Sequence, residues 1–192
     1  MRGEPATDAW LLEAAREGDE AAFLDLYHDH RTPLFRFVWS LTASESAAED
    51  ITQECFLALL KGAGFDGRQG SLRKYLFGIA RHLALRRLRL SQRECEEADE
   101  TAAGAAWATG PLDDLLASER TALVEHAVRA LPALQREALV LFEYEGMSLE
   151  EVAAITGAEI GAVKARLHRA RESVRRRLEP LFNRCPPERS CK

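Results

Sequence analysis

The sequence predicts an all-α protein: two small helical domains joined by a flexible acidic linker, the second containing a helix-turn-helix. Hydrophobic residues make up 46% of the 192 residues and aromatic residues only 7%, a composition that favours helices rich in Ala and Leu. Apolar and polar residues do not alternate with a period of two over any useful length, so strands are not expected. Residues 94–114 contain seven acidic residues and no Lys or Arg, which predicts a linker between two helical regions.

The first helical region, residues 8–91, is expected to form one domain. Asp8 is predicted to cap its first helix, and Ser46 with Glu49 has the spacing of a capping box that opens the third. Pro33 is expected to bend or break the second helix, because proline lacks the amide proton that the helix needs. The four predicted helices are 9–16, 19–41, 46–60 and 72–90.

The fourth predicted helix carries a row of side chains that could bind unpaired bases. Tyr75, His82 and Arg89 are seven residues apart, so they line one edge of the helix beside Arg86, next to an apolar stripe that ends at Leu90. Aromatic and guanidinium groups in one row can stack on bases and hold a single-strand backbone. Equally, Tyr75 and His82 could be half-buried packing residues.

Residues 117–179 are expected to form the second domain, and they contain the helix-turn-helix. Ser148 and Glu151 form a second capping-box pattern at the start of its first helix. Gly157 lies where the turn requires a positive φ, which glycine adopts at little cost. A short helix, a glycine turn and a longer helix together predict the DNA-binding motif.

The second helix of this motif is basic on its outer face. Residues 164–177 contain seven Lys or Arg and one acid, Glu172, in a chain whose net charge is -5. Ile160 begins the stripe expected to pack inward. A helix with this buried apolar stripe on one side and a basic face on the other suits the DNA major groove. The alternative is a solvated surface helix that is rich in arginine. The residues predicted to contact duplex DNA are Lys164, Arg166, His168, Arg169 and Arg171.

Three blocks of the chain resemble the small extracytoplasmic-function sigma factors of bacterial RNA polymerase. They are AEDITQECFLALL at 48–60, GSLRKYLFGIARHLALRRLR at 70–89, and LPALQREALVLFEYEGMSLEEVAAITGAEIGAVKARLHRAR at 131–171. The blocks occur in the order and at the spacing of that family. The resemblance implies that domain 8–91 binds core polymerase and the minus-10 promoter element. It implies that domain 117–179 binds the minus-35 element, with 92–116 as the acidic linker and 180–192 as a loose tail.

The resemblance also implies roles for individual residues. The family's matching acidic block docks on the clamp of the largest polymerase subunit, which assigns core binding to Glu49, Asp50, Gln53 and Glu54. The same resemblance matches Tyr75 and His82 to family positions in minus-10 recognition. With Arg86 and Arg89 of the same row, they are the residues predicted for minus-10 recognition and melting. His82 stands where the family usually has an asparagine that helps to hold a flipped base, and Arg86 replaces a common aspartate. An anti-sigma protein is a further partner that the resemblance implies.

Several classes of protein are not expected. The chain shows no Gly-rich phosphate loop, nucleophile elbow or clustered metal ligands, so neither catalysis nor a cofactor is predicted. The sequence lacks a signal peptide and any apolar run approaching the roughly 18 residues of a membrane span, which predicts a cytoplasmic protein. Cys185 and Cys191 could serve redox control, although a disordered tail is the default interpretation. The alternative function is a stand-alone helix-turn-helix regulator whose first domain senses a ligand or dimerises.

Overall fold

The computed structural model of the chain describes residues 5–62, 65, 71–95 and 113–182. Within these ranges every regular element is helical and no strand occurs, which confirms the all-α prediction. The elements are α1 (Pro5–Arg16), α2 (Glu20–Thr42), α3 (Glu45–Leu60), α4 (Leu72–Cys95), α5 (Asp113–Arg129), α6 (Ala133–Leu139), a π-helical turn (Val140–Tyr144), α7 (Leu149–Thr156) and α8 (Ile160–Phe182).

Helices extend into both ends of the predicted linker. Helix α4 continues to Cys95 and α5 begins at Asp113, so both ends of 92–116 are helical. At the other end of the chain α8 continues to Phe182, two residues beyond the predicted start of the tail. The rest of the linker, 96–112, and the rest of the tail, with Cys185 and Cys191, lie outside the described residues.

The first bundle is built around α2, which packs against α1, α3 and α4. Its side chains Leu34, Phe37 and Val38 are completely buried. Helix α2 passes through Pro33 without a break. The loss of one hydrogen bond is tolerated because buried residues on both sides of the proline hold the two halves of the helix in the core.

Two predicted helix caps in the first domain are wrong. Helix α3 begins earlier than predicted, because Ala43 adopts the left-handed conformation (φ 54°) that ends α2 and Ser44 follows in extended conformation. The Ser44 hydroxyl therefore accepts the Ala47 amide at 3.3 Å, and Ser46 lies inside the helix. Asp8 is likewise inside α1, where it is buried with its carboxylate 3.3 Å from His30 Nε2 on α2.

The second bundle packs α5, α6 and α7 against α8. Its interior includes Val152 of α7 and Val163 and Leu167 of α8, all nearly or completely buried. Two residues predicted to be in the core are exposed instead. Ile160 is 40% exposed because it is the first residue of α8, and Leu90 is 46% exposed because it borders an open groove between α3 and α4.

The two bundles pack against each other. Helix α7 of the second bundle contacts α4 of the first, and α6 contacts α2. Buried apolar side chains of both bundles form one continuous cluster. The sequence predicted two domains that are tethered, and the structure shows that their surfaces are also joined directly.

Candidate nucleic-acid interface

The helix-turn-helix has the local geometry that the sequence predicts. The Ser148 hydroxyl accepts the Glu151 amide at 3.1 Å, and the Ser148 amide donates to the Glu151 carboxylate at 2.8 Å, which completes the capping box. Gly157 ends α7 with φ 63°, and the Ala158 amide donates to the Ala153 carbonyl at 3.1 Å. This left-handed cap turns the chain within three residues, so that α8 can begin at Ile160.

The outer face of α8 is open. Val163, Leu167 and Ala170 are buried along the inner side of the helix. On the outer side Lys164, His168 and Arg169, three of the five residues predicted to bind duplex DNA, are exposed. Their donors can therefore approach phosphates or base edges without any rearrangement of the fold.

The other two predicted residues, Arg166 and Arg171, make contacts inside the protein. Arg166 is half-buried, and its Nη1 atom is buried without a hydrogen-bond partner. Arg171 donates through Nε at 2.8 Å and Nη2 at 2.6 Å to Glu143, and its guanidinium lies 5.5 Å from the centre of the Phe142 ring. The pair is exposed and lies at the edge of α8, so Arg171 stays accessible to solvent while its direction is fixed.

The predicted single-strand row on α4 is mostly open. His82, Arg86 and Arg89 are exposed, whereas Tyr75 is half-buried with its ring centre 5.3 Å from that of Phe65. The packing interpretation therefore fits Tyr75 but not His82, and the binding of unpaired bases by this row stays a prediction. Tyr75 contributes to packing through its contact with Phe65, while the imidazole and the two guanidinium groups face solvent.

An acidic surface on α3 adjoins this row. Glu49, Asp50, Gln53 and Glu54 are all exposed on the side of α3 that faces away from the core. Asp50 and Glu54 line a groove that is closed on its other side by Arg86 and Arg87 of α4. The surface predicted to bind polymerase and the row predicted to bind unpaired bases are thus neighbours on one bundle.

The chain is similar to known families and proteins. The model of Sigma-70 region 2 matches residues 26–94, and that of Sigma-70 region 4 matches residues 121–174. The ECF RNA polymerase sigma factor SigM of Mycobacterium tuberculosis is 31% identical over 179 residues, which cover 90% of this chain and 85% of SigM. The chain belongs to the ECF sigma factors. It is an alternative sigma factor, which directs promoter recognition and transcription initiation.

Further relatives also match most of the chain. The ECF sigma-E factor of Escherichia coli is 29% identical over 194 residues, covering 94% of this chain and 99% of its own. The structure of the sigma factor RpoE with the anti-sigma factor NepR, from Bartonella quintana, is 30% identical with a TM-score of 0.64 and covers 78% of this chain and 91% of its own. CnrH in complex with the cytosolic domain of CnrY is 25% identical with a TM-score of 0.63, covering 91% of this chain and 98% of its own.

The described parts of this sigma factor carry few groups suited to other chemistry. These residues contain no group of three His, Cys, Asp or Glu side chains arranged to hold a metal ion. None of the described helices is both long and apolar enough to cross a membrane. Burial raises the pKa of the Cys55 thiol to about 12, so this cysteine is an inert core residue rather than a nucleophile.

Four charged residues with defined partners were not recognised in the sequence. Arg73 and Arg81 of α4 pair with Glu145 and Glu137 of the second bundle. The signal that could have found them is the position of the two acids, which interrupt the apolar positions of LQREALVLFEYEG. A carboxylate at an inward position of a helical pattern requires a cationic partner, although the sequence does not show which one.

Proposed function

We propose that the two bundles of this sigma factor divide promoter recognition between them. The bundle of residues 8–91 binds core polymerase and the minus-10 element, and the bundle of 117–179 binds the minus-35 element. The observation that carries this proposal is the open outer face of α8. Lys164, His168 and Arg169 are exposed on this face, while the apolar side chains on the inner face of the helix are buried. Arg171, held by Glu143, flanks that face, and Arg166 lies at its inner margin.

The minus-10 element would be melted through differential binding. His82, Arg86 and Arg89, with the half-buried Tyr75, offer stacking surfaces and positive charge to flipped bases, whereas a duplex keeps its bases inside. Binding of the flipped bases offsets an unstacking cost of a few kcal/mol. Melting therefore needs no catalytic group on this chain, and we assign the chemistry of RNA synthesis to the polymerase.

Attachment to the polymerase is assigned to α3. Glu49, Asp50, Gln53 and Glu54 present carboxylates and an amide on one exposed surface, and Asp50 and Glu54 line the groove that adjoins the α4 row. The groove shared with Arg86 links polymerase binding to the site of melting. We propose that the sigma factor binds polymerase in the cytoplasm and that it needs no cofactor.

An inhibitory protein partner is also proposed. Two solved structures that this chain resembles are complexes, one of RpoE with the anti-sigma factor NepR and one of CnrH with the cytosolic domain of CnrY. Since this chain matches both along most of its length, we propose that an anti-sigma protein of its own binds it. Copurification of the sigma factor from its native cell would identify this anti-sigma protein.

Run-off transcription with purified core polymerase tests the proposed function. The template is the promoter upstream of this protein's own coding region, and a specific transcript is expected only when the chain is added. A stand-alone regulator would instead bind the promoter and produce no transcript with core polymerase alone.

A double variant on α3 tests the attachment surface. Asp50→Ala with Gln53→Ala should reduce capture of core polymerase, while binding of the full chain to a minus-35 duplex stays at the wild-type level. Glu45→Ala, an exposed acid on the same helix but outside the surface, is the matched control. Unchanged capture by the double variant would remove α3 from the polymerase site.

A further inference from the structure

The C-terminal half of α8 carries three arginines beyond the residues assigned to promoter DNA. The assigned residues end at Arg171, and the match to Sigma-70 region 4 ends at residue 174. Arg175, Arg176 and Arg177 follow directly, and α8 continues to Phe182. Neighbouring residues of an α-helix point in directions about 100° apart, so the three arginines have different surroundings.

Two of these arginines have partners within the second bundle. Arg177 donates through Nη2 to the Ala130 carbonyl at 3.3 Å, directly after α5. Arg175 Nε lies 3.6 Å from the Glu172 carboxylate of the preceding turn. Glu172 is also four residues from Arg176, a spacing that suits an ion pair, but the structure pairs it with Arg175 instead. Arg176 is exposed, and the hydrogen bonds and ion pairs among the described residues do not involve it.

Arg176 lies on the same face of α8 as Arg169. The two residues are seven positions apart, close to two full turns, so their directions differ by only about 20°. Both point away from the side of the helix on which Val163, Leu167 and Ala170 are buried. Arg176 lies about 10 Å beyond Arg169 along the helix axis, at about 1.5 Å per residue. The exposed basic face therefore continues past the residues assigned to the minus-35 element.

The charge of Arg176 does not serve the stability of α8 itself. A cation stabilises a helix when it lies in the last turn, where it meets the negative end of the helix dipole. The last turn of α8 contains no basic residue, and Arg176 lies more than a turn before the end of the helix at Phe182. Glu179, three residues further on, is exposed and forms no ion pair with Arg176 in the described structure. The guanidinium is therefore available to a ligand outside the bundle.

Helix α8 is longer than the groove that it would enter. It has 23 residues, which at about 1.5 Å per residue give a length of about 35 Å, whereas the major groove is about 12 Å wide. The N-terminal residues of the recognition helix in a helix-turn-helix contact base edges. Arg176 lies about 18 Å beyond Lys164 along the axis, at about 1.5 Å per residue. When Lys164 is at the base edges, Arg176 is therefore beside the sugar-phosphate backbone that borders the groove.

We propose that Arg176 binds a phosphate of the DNA backbone beside the minus-35 element. Such a contact adds affinity that does not depend on base sequence, and it fixes the position of α8 along the groove. Arginine suits this role because its guanidinium can donate to two phosphate oxygens at once. The proposal rests on the proposed function, because it takes the outer face of α8 as the surface that meets duplex DNA.

The dependence of DNA affinity on salt tests the phosphate contact. A cation that neutralises a phosphate releases counterions, so Arg176→Gln should make the slope of log affinity against log salt shallower by about 0.9. The full chain is titrated against a labelled minus-35 duplex by fluorescence anisotropy, from about 0.05 M to about 0.2 M salt. Over this range the advantage of the wild type over the variant should shrink about 3.5-fold, because salt rises fourfold at a slope difference of about 0.9.

Matched variants separate a phosphate contact from other effects of the arginine. Arg177→Gln removes the same charge from the next residue, whose guanidinium is bonded to the Ala130 carbonyl, and should leave the slope at the wild-type value. Arg176→Lys keeps a cation that can meet a phosphate and should retain most of the slope. On a duplex with scrambled minus-35 bases, Arg176→Gln should lose the same fraction of affinity as on the intact element. All three variants should melt at the wild-type temperature, because both arginines are exposed.

The outcomes distinguish this contact from the proposed function. A wild-type slope in Arg176→Gln, an equal change in Arg177→Gln, or no measurable binding of the wild type to either duplex would overturn the contact even if run-off transcription is normal. A loss of affinity on only one of the two duplexes would indicate a base contact and would also overturn it. A wild type that binds duplex DNA with a slope that Arg176→Gln lowers, yet gives no transcript with core polymerase, would leave the contact standing and overturn the proposed function.

Discussion

Helices α4 and α8 are both rich in arginine, yet the structure uses their charges differently. On α8 the residues Lys164, His168 and Arg169 face solvent in the direction expected for DNA. On α4 the basic residues are divided: Arg86 and Arg89 are exposed, whereas others of the helix pair with buried acids of the second domain. A run of basic residues therefore does not identify a nucleic-acid surface by itself, because the same arginines can form ion pairs between domains instead.

The largest expected effect is a loss of stability when a buried apolar side chain on the inner face of α8 is truncated. Leu167 is 3% exposed, so Leu167→Ala should lower the free energy of unfolding by about 2–5 kcal/mol. Urea denaturation followed by circular dichroism measures the loss. The control is Leu134→Ala, because Leu134 is 50% exposed and its truncation should change stability by no more than about 0.5 kcal/mol. Equal losses of stability in the two variants would mean that the inner face of α8 is not packed into the core.

The exposed and half-buried arginines of α8 should differ in DNA binding. Arg169→Ala should weaken binding to a minus-35 duplex by about 1–3 kcal/mol if its guanidinium makes a bidentate base contact. Arg166→Ala should cost less, because Arg166 is half-buried and its Nη1 atom is shielded from solvent. Titration of a labelled duplex by fluorescence anisotropy compares the two. A footprint over the minus-35 element that Arg169→Ala leaves unchanged would remove this residue from the interface.

The exposed row of α4 should set base preference more than overall affinity. His82→Asn replaces an exposed imidazole with the amide common in the family, so the preferred minus-10 base should change while polymerase binding does not. Transcription from a promoter library randomised at the minus-10 element measures the preference. Identical selectivity in variant and wild type would show that the side chain at 82 does not touch the flipped base.

The smallest effect expected is a dependence of stability on pH that comes from the acids paired with α4. Burial raises the pKa of Glu137 and of Glu145 above 4.5, although Arg81 and Arg166 oppose this at Glu137, and Arg73 and Arg36 at Glu145. The folded form then holds protons more tightly than the unfolded chain, so the free energy of unfolding should fall as pH rises from 4.5 through the raised pKa. Thermal melting across this window should show a shallower slope in Glu137→Gln with Glu145→Gln. A slope that is equal or reversed would contradict the shift.

Local patterns predicted local structure well. The capping box at Ser148 and the glycine turn at Gly157 could both be predicted from the sequence, because each depends on a few neighbouring residues. The errors at Ser46 and Asp8 are shifts of a helix start: Ser44 caps α3 two residues before Ser46, and α1 already includes Pro5. The assignments of individual residues to promoter and polymerase remain predictions.

The sequence alone determined the all-α class, the helix-turn-helix and the family, because periodicity, caps and motif order are properties of short stretches of chain. Only the tertiary structure decided which arginines are free and which are paired. Glu137 and Glu145 are 56 and 72 residues from their partners Arg81 and Arg73, and no local rule links positions so far apart. Such pairs exist because two bundles dock in one orientation, and that orientation results from the packing of whole surfaces.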